Sequence, residues 1–408
     1  MAIRLKQLVF SRLAESFPLN ESLKSARLAT SLLFLLHGLI VATWLSRIPA
    51  IQTRLGLNPS ELGLALLGTA AGALFSMPLT GALVTRLGSR PVAMISTALM
   101  SLALVPLAIA PGRFWLTGAL VIFGVFSGAM NVSMNAQAVA LEERYRRAIL
   151  STFHALFSLG GMAGAALGGI AAGNGISPFA QFAGSAIVFA GFALAVAPML
   201  IKSDKGRPGQ PVFARITQPL LGLGCLAFCI LLNEGAMADW SSVYLHRSLA
   251  APESVSAAGY AVFSFAMAGG RLAGDWMTNH FGRVPIVRFG ALLSAVGLLA
   301  GLALATIPAT FIAFGAVGAG FSVIVPIAFG AAGRNGASAG AGLAAVNTAG
   351  YLGFLSGPAI IGFTANAIGL RSALLIVAAL SILVSLMARA VALPSGVSPQ
   401  PAQEPVLQ

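Results

Sequence analysis

Glu234 and Asp239 stand five residues apart in an apolar stretch that holds no Lys or Arg between residues 216 and 246. Carboxyls in such poorly hydrated surroundings are suited to taking up and releasing protons. His37 sits in the middle of another apolar stretch and could share that proton or donate to a bound solute; a hydrogen-bonded packing histidine is the alternative. Asn131 and Asn135 are four apart and so share one helix face. Their amides offer donors and acceptors without charge, which suits a hydroxyl-rich ligand, although the same groups can bind helix to helix. Asn347 and Tyr351 repeat that spacing, and His154 adds a further polar group in an apolar run. Trp44 and Trp240 could supply a flat apolar wall for a sugar or cyclitol ring, or anchor helix ends at a membrane surface. Arg271 and Asp275 are again four apart, the spacing of a local ion pair.

The elements that carry these groups must cross a bilayer. Of 408 residues, 57% are hydrophobic and only 9% charged, against about 25% charged in a soluble domain. An ionisable side chain at mid-bilayer costs about 2.5–3.5 kcal/mol on insertion scales, so each one must face a cavity or a partner. The net charge of +13 would suggest nucleic acid for a soluble protein; here it reflects basic loops retained on one side of a membrane, and no nucleic-acid partner is expected. Cys225 and Cys229 lie one helical turn apart and read as packing residues. No metal site or cofactor is expected.

A spanning helix needs roughly 20 apolar residues. Twelve such spans fall near 28–48, 60–84, 91–110, 114–141, 148–172, 177–200, 217–245, 254–278, 284–306, 309–332, 338–367 and 371–393. With the N-terminus in the cytoplasm, 18 of the 24 Lys and Arg lie on the cytoplasmic side; Arg47, Arg54, Arg113, Arg247 and Arg371 lie opposite, and Arg271 lies inside a span. That bias predicts both termini in the cytoplasm and a multi-pass protein of the inner (plasma) membrane. Residues 1–27 form a cytoplasmic segment, 28–201 a first six-helix bundle, 202–216 a polar linker, 217–393 a second bundle and 394–408 a disordered tail.

The halves echo one another. Gly88-Ser-Arg-Pro91 is answered by Gly282-Arg-Val-Pro285, and His37 with Trp44 by Glu234 with Trp240. Duplicated six-helix halves about an axis along the membrane normal are one of the known transporter architectures. At this point the chain resembles the major facilitator superfamily. Gly81, Leu83, Arg86, Gly88 and Arg90 match that family's loop signature between spans 2 and 3, with Arg283 following Gly282 in the second copy. The match departs at Thr85, where the family usually has Asp, and Asn279 stands at the equivalent acidic place. Three stretches, Trp44-Leu-Ser-Arg-Ile-Pro49, Met130-Asn-Val-Ser-Met-Asn135 and Asn233-Glu-Gly-Ala-Met-Ala-Asp-Trp-Ser241, are similar to the MosC/YbjJ group, relatives of fucose permease.

The resemblance implies an all-α membrane fold of two pseudo-twofold six-helix bundles, with spans 3, 6, 9 and 12 facing lipid. It implies no enzymatic activity. It implies secondary active transport of a small polar solute, sugar- or cyclitol-like, coupled to protons through alternating access, by a monomer. Spans 1 and 7 adjoin in that fold, so Arg47 and Asp239 are expected to form an outer gate ion pair. A proton-coupled exporter of apolar compounds and a solute-sensing receptor that does not transport remain as alternatives.

Overall fold

The computed structural model describes residues 21–145, 149–202, 220–335 and 339–392. The first 20 residues, Arg146 and Arg147, nearly all of the expected linker and the tail lie outside these, as does the side chain of Asp275.

Backbone in lipid must satisfy its own hydrogen bonds, and helices do so within one segment. The described chain accordingly forms twelve rods. They are α1 (Ser22–Leu55), α2 (Pro59–Leu87), α3 (Ser89–Ile109), α4 (Arg113–Tyr145), α5 (Leu150–Gly173) and α6 (Pro178–Met199), followed by α7 (Leu221–Ser248) and α8 (Glu253–Phe281). The last four are α9 (Arg283–Leu304), α10 (Ile307–Gly333), α11 (Ala339–Ile368) and α12 (Leu370–Val391). Eleven of the rods are long and apolar enough to cross a membrane. The remaining rod, α8, matches them with 29 residues but carries Glu253, Arg271 and Asp275. Large apolar side chains such as Phe75, Ile187, Val296 and Leu386 cover the outside of the bundle.

The side bearing the turns at Gly88 and Gly282 is called here the motif side, and its opposite the far side. Both glycines take φ near +84°, at 85° and 83°, a left-handed region that lets the chain reverse with no Cβ clash. On the far side the helix starts are capped. Asn58 and Glu61 close a capping box on α2, Ser177 caps α6 and Thr306 caps α10. The arginines that ran against the charge bias find use there. Arg54 donates to the Ala110 carbonyl, Arg371 to that of Ala303, and Arg113 pairs with Glu61 at 2.8 Å. Cations at carbonyl ends also complement the helix dipole.

Prolines break three rods. Pro49, Pro106 and Pro326 each lack the N–H that would bond the residue four earlier, and the helices are interrupted just upstream, at Ser46–Arg47, Ala103 and Ser322–Val323. On the motif side the buried Gln137 amide grips Ile201 at both its N–H and its carbonyl, at 3.0 Å each, and donates to Ser89 as well.

Within the first half α1 packs on α5 and α2 on α4; within the second, α7 packs on α11 and α8 on α10. The halves meet where α5 lies on α8 and α2 on α11. The glycine stripe of α5 serves both kinds of contact. Gly160 and Gly164 lie against the Leu35 and Leu39 backbone of α1, while Gly161 and Gly169 lie against Ser264 and Ser254 of α8. Small residues let helix axes approach this closely. At the far side Gly63 of α2 and Gly362 of α11 meet backbone to backbone: a Cβ on Gly362 would stand 3.0 Å from the Gly63 Cα and 2.7 Å from the Pro59 carbonyl oxygen. At the motif side, by contrast, α4 and α10 do not pack closely among the described residues. Among the described residues the halves are in backbone contact on the far side, while α4 and α10 stand apart on the motif side.

A branched side chain at Gly362 is expected to wedge this seam. In a background lacking Cys225 and Cys229, a cysteine at Ser254 should react slowly with a hydrophilic maleimide, and at least tenfold faster once Gly362→Leu is added; equal rates would show that the contact does not close the far side.

Candidate solute site

Glu234 lies at the middle of α7 and Arg271 two-thirds along α8. Their charged groups face each other across 3.9 Å, with the side chains 18% and 13% exposed. Arg271 also reaches across the seam between the halves, where Nη1 donates to Ser158 Oγ of α5 at 2.7 Å and to the His154 carbonyl at 3.4 Å. Three helices from both halves thus converge on one guanidinium. Glu234 Oε1 is buried with no hydrogen-bond partner. The local pair expected between Arg271 and Asp275 is not tested, because the Asp275 side chain lies outside the described residues; Arg271 spends its described contacts on Glu234 and α5 instead.

A cavity of about 440 Å³ opens beside this junction on the motif side, within the size range of small-molecule sites. His154 of α5, Arg271 and Asn279 of α8, Arg283 of α9, and Ser322 and Pro326 at the break in α10 line it. The His154 ring is held edge-on by Phe34. Thr85, at the family's acidic place, bonds back to the Gly81 and Ala82 carbonyls of its own helix, so it reaches no neighbour as a latch. Among the described residues no partner is found for Arg86, Arg90 or Arg283.

The other polar groups separate into two kinds. Asn131 and Asn135 lie on the α4 face between Ser127, which meets α1, and Gly128, which meets α2. Asn135 donates to the Asn131 carbonyl at 2.8 Å and stands 3.3 Å from its side-chain oxygen, so one amide is partly spent within the helix. Asn347 and Tyr351 lie half-buried on α11 between the face against α7 and the face against α2, with no described hydrogen bond. Asp239, one and a half turns beyond Glu234 toward the far side, also has no described partner. His37 is different: it is buried inside the first half, with Nε2 3.1 Å from Ser127 Oγ and its ring edge-on to Phe157. It does not line the cavity.

Two expectations need correction. Trp44 and Trp240 are only 2% and 0% exposed; they fill the closed far-side core rather than line a wall for solute. Trp115 and Trp276 are the surface tryptophans. Arg47 does not meet Asp239. The break before Pro49 turns it toward α8, where Nη1 lies 3.5 Å from Glu253 and Nη2 donates to the Ile176 carbonyl at 2.6 Å. The far side is therefore pinned across the halves by α1 and α8. Ser158 went unnoticed because a lone Ser in a glycine-rich helix gives no signal, and Glu253 because it reads as a loop charge. Tyr260, buried on α8 and within electrostatic reach of Glu234, Asp239 and Arg271, was also missed.

The two-bundle geometry, the seam and the cavity beside the junction fit a membrane transporter. The model of the Major Facilitator Superfamily matches residues 30–228 and 222–407. An uncharacterised MFS-type transporter of Yersinia pestis is 37% identical over 370 residues, 90% of this chain and 96% of that protein. The membrane protein MosC of Rhizobium meliloti is 32% identical over 369 residues, 90% of each chain. Among solved structures, a bacterial homologue of the human lysosomal transporter Spinster, inward-facing and occupied, superposes with a TM-score of 0.71 at 13% identity, over 89% of this chain and 95% of that one. The nucleoside transporter NupG gives 0.66 at 14% identity, over 90% and 98%. The chain belongs to the major facilitator superfamily. It is a multi-pass membrane protein and a secondary transporter, not an enzyme.

Two outcomes follow from the corrected residues. Trp240→Ala should lower thermal stability by the roughly 3–5 kcal/mol typical of a large buried aromatic while leaving solute affinity within twofold, as thermal unfolding and a binding titration would show. Arg47→Glu and Glu253→Arg should each slow transport, and the double swap should recover at least half of it; a double variant as slow as the worse single would remove the latch.

Proposed function

We propose that this chain carries a small, polar, hydroxyl-bearing solute across the cell's inner membrane in step with protons, as a monomer whose halves rock about the α5–α8 and α2–α11 seams. In this reading both termini and the motif side face the cytoplasm, so the cavity opens inward and the far side faces out. The half-buried Asn131, Asn347 and Tyr351 on inward helix faces support the hydroxylated solute; uncharged amides and a phenol bind such groups without a counter-ion.

The observation that carries the coupling is the Glu234–Arg271–Ser158 junction. Glu234 and Arg271 come from the second half and Ser158 from the first. A protonated Glu234 releases Arg271 to the first half; an ionised Glu234 draws it back. The two halves are thus held differently in the two protonation states, which is what a coupled carrier requires: a ligand moves a conformational equilibrium only through its differential affinity for the two states. Asp239 and Tyr260 stand close enough to extend the proton path toward the far side. A proton moved across 100 mV supplies about 2.3 kcal/mol to the cycle.

Glu234→Gln fixes the side chain in a neutral form of the same shape. In proteoliposomes it should exchange internal for external solute at no less than one-third of the parent rate, yet fail to concentrate solute when a proton gradient is imposed. Unchanged accumulation would assign the coupling elsewhere.

A further inference from the structure

The cavity beside the junction has a charge character that a neutral polyol leaves unused. Arg271 stands deep in it and Arg283 stands at the start of α9, ten helical residues and a turn later, or about 15 Å nearer the motif-side mouth. Among the described residues lining the cavity there is no Asp or Glu. Arg283 Nη1 is buried with no hydrogen-bond partner. Arg271 uses only Nη1, on Ser158 and the His154 carbonyl. Its Nε and Nη2, the parallel pair of the guanidinium fork, donate to no described residue, and the Glu234 carboxylate stops at 3.9 Å from Nη2, beyond hydrogen-bond length. That fork is the shape which receives a carboxylate or phosphate through two parallel bonds. A half-buried guanidinium whose bidentate edge meets no described residue, next to an orphaned Glu234 oxygen, is the kind of group that marks a solute path inside a membrane.

We infer that the solute is an organic anion, a hydroxylated carboxylate of the sugar-acid type, whose carboxylate docks on the Nε/Nη2 edge of Arg271 while Arg283 draws it in from the mouth. This rests on the transport reading and sharpens its solute class. Ser158 and the His154 carbonyl act as positioning groups: by holding Nη1 they aim the opposite edge into the cavity. The incoming carboxylate takes the place that Glu234 approaches, so solute and Glu234 compete for one cation. Hydroxyls are left to the amides of α4 and α11.

Purified full-length protein is tested by thermal shift against gluconate, glucuronate and galactonate, and against glucose, galactose and myo-inositol at equal concentrations. At least one acid should raise the Tm, and by more than any neutral compound. Arg271→Lys, which keeps the charge and loses the fork, should weaken that acid at least tenfold, and Arg271→Gln should abolish its effect. Arg283→Gln should weaken it mainly at low salt. A second measurement uses the parent protein alone: the binding acid should protect Arg271 from phenylglyoxal, read by peptide mass spectrometry, and myo-inositol should not. Silence of all three acids, an acid shift that survives Arg271→Gln, or equal modification of Arg271 with and without acid would each overturn the anion. If glucose or inositol then accumulates on a proton gradient, the anion falls and the transport reading stands; if an acid binds but no gradient drives its uptake, the anion stands and the coupling falls.

Discussion

A guanidinium cannot rest in hydrocarbon, and Arg271 lies two-thirds along α8, inside a spanning helix. Everything near it is arranged by that fact. Its partners must come from other helices, and the nearest ones belong to both halves: Glu234 from α7 and Ser158 from α5. One unavoidable charge thereby becomes a contact that spans the seam between the bundles. Replacing it with an apolar residue would relieve the desolvation cost but would leave Glu234 buried without a counter-ion, which is worse than either the pair or its absence.

Glycine provides the other half of the design. α5 presents one row of small residues to α1 and an adjoining row to α8. The first row fuses α5 to its own bundle, while the second makes a smooth surface against the opposite one. Close packing without interdigitated side chains permits movement along the seam, and polar links such as Arg271 to Ser158 and Arg47 to Glu253 can then bias where it stops. Close-packed bundles, smooth seams and a few polar contacts across them are consistent with the proposed rocking of the halves.

Much of this was legible in the sequence, because hydropathy and turn chemistry are local. Span count and the two Gly-x-x-Pro turns needed only the run lengths and the residues at their ends. The polar pairings were not legible, because they depend on helix rotation and kinks. Arg271 also meets a carboxylate 37 residues back on α7, a partner that no local spacing could show. Arg47 looked toward Asp239, but the Pro49 break redirects it to Glu253. Trp44 and Trp240 sat where interfacial anchors usually sit, and the closed far side buried them. The outward arginines read as exceptions to a charge rule until Arg54 and Arg371 were seen on carbonyls at the ends of neighbouring helices.

The meeting of Gly63 with Gly362 has a physical corollary. Uncharged main chain pressed against uncharged main chain, in apolar surroundings, feels little from dissolved ions. Among the described contacts across the far side, the Arg47–Glu253 pair, whose carboxylate is 38% exposed, is the part that electrolyte can screen. The far-side contact should therefore close with nearly the same force at low salt and at high salt.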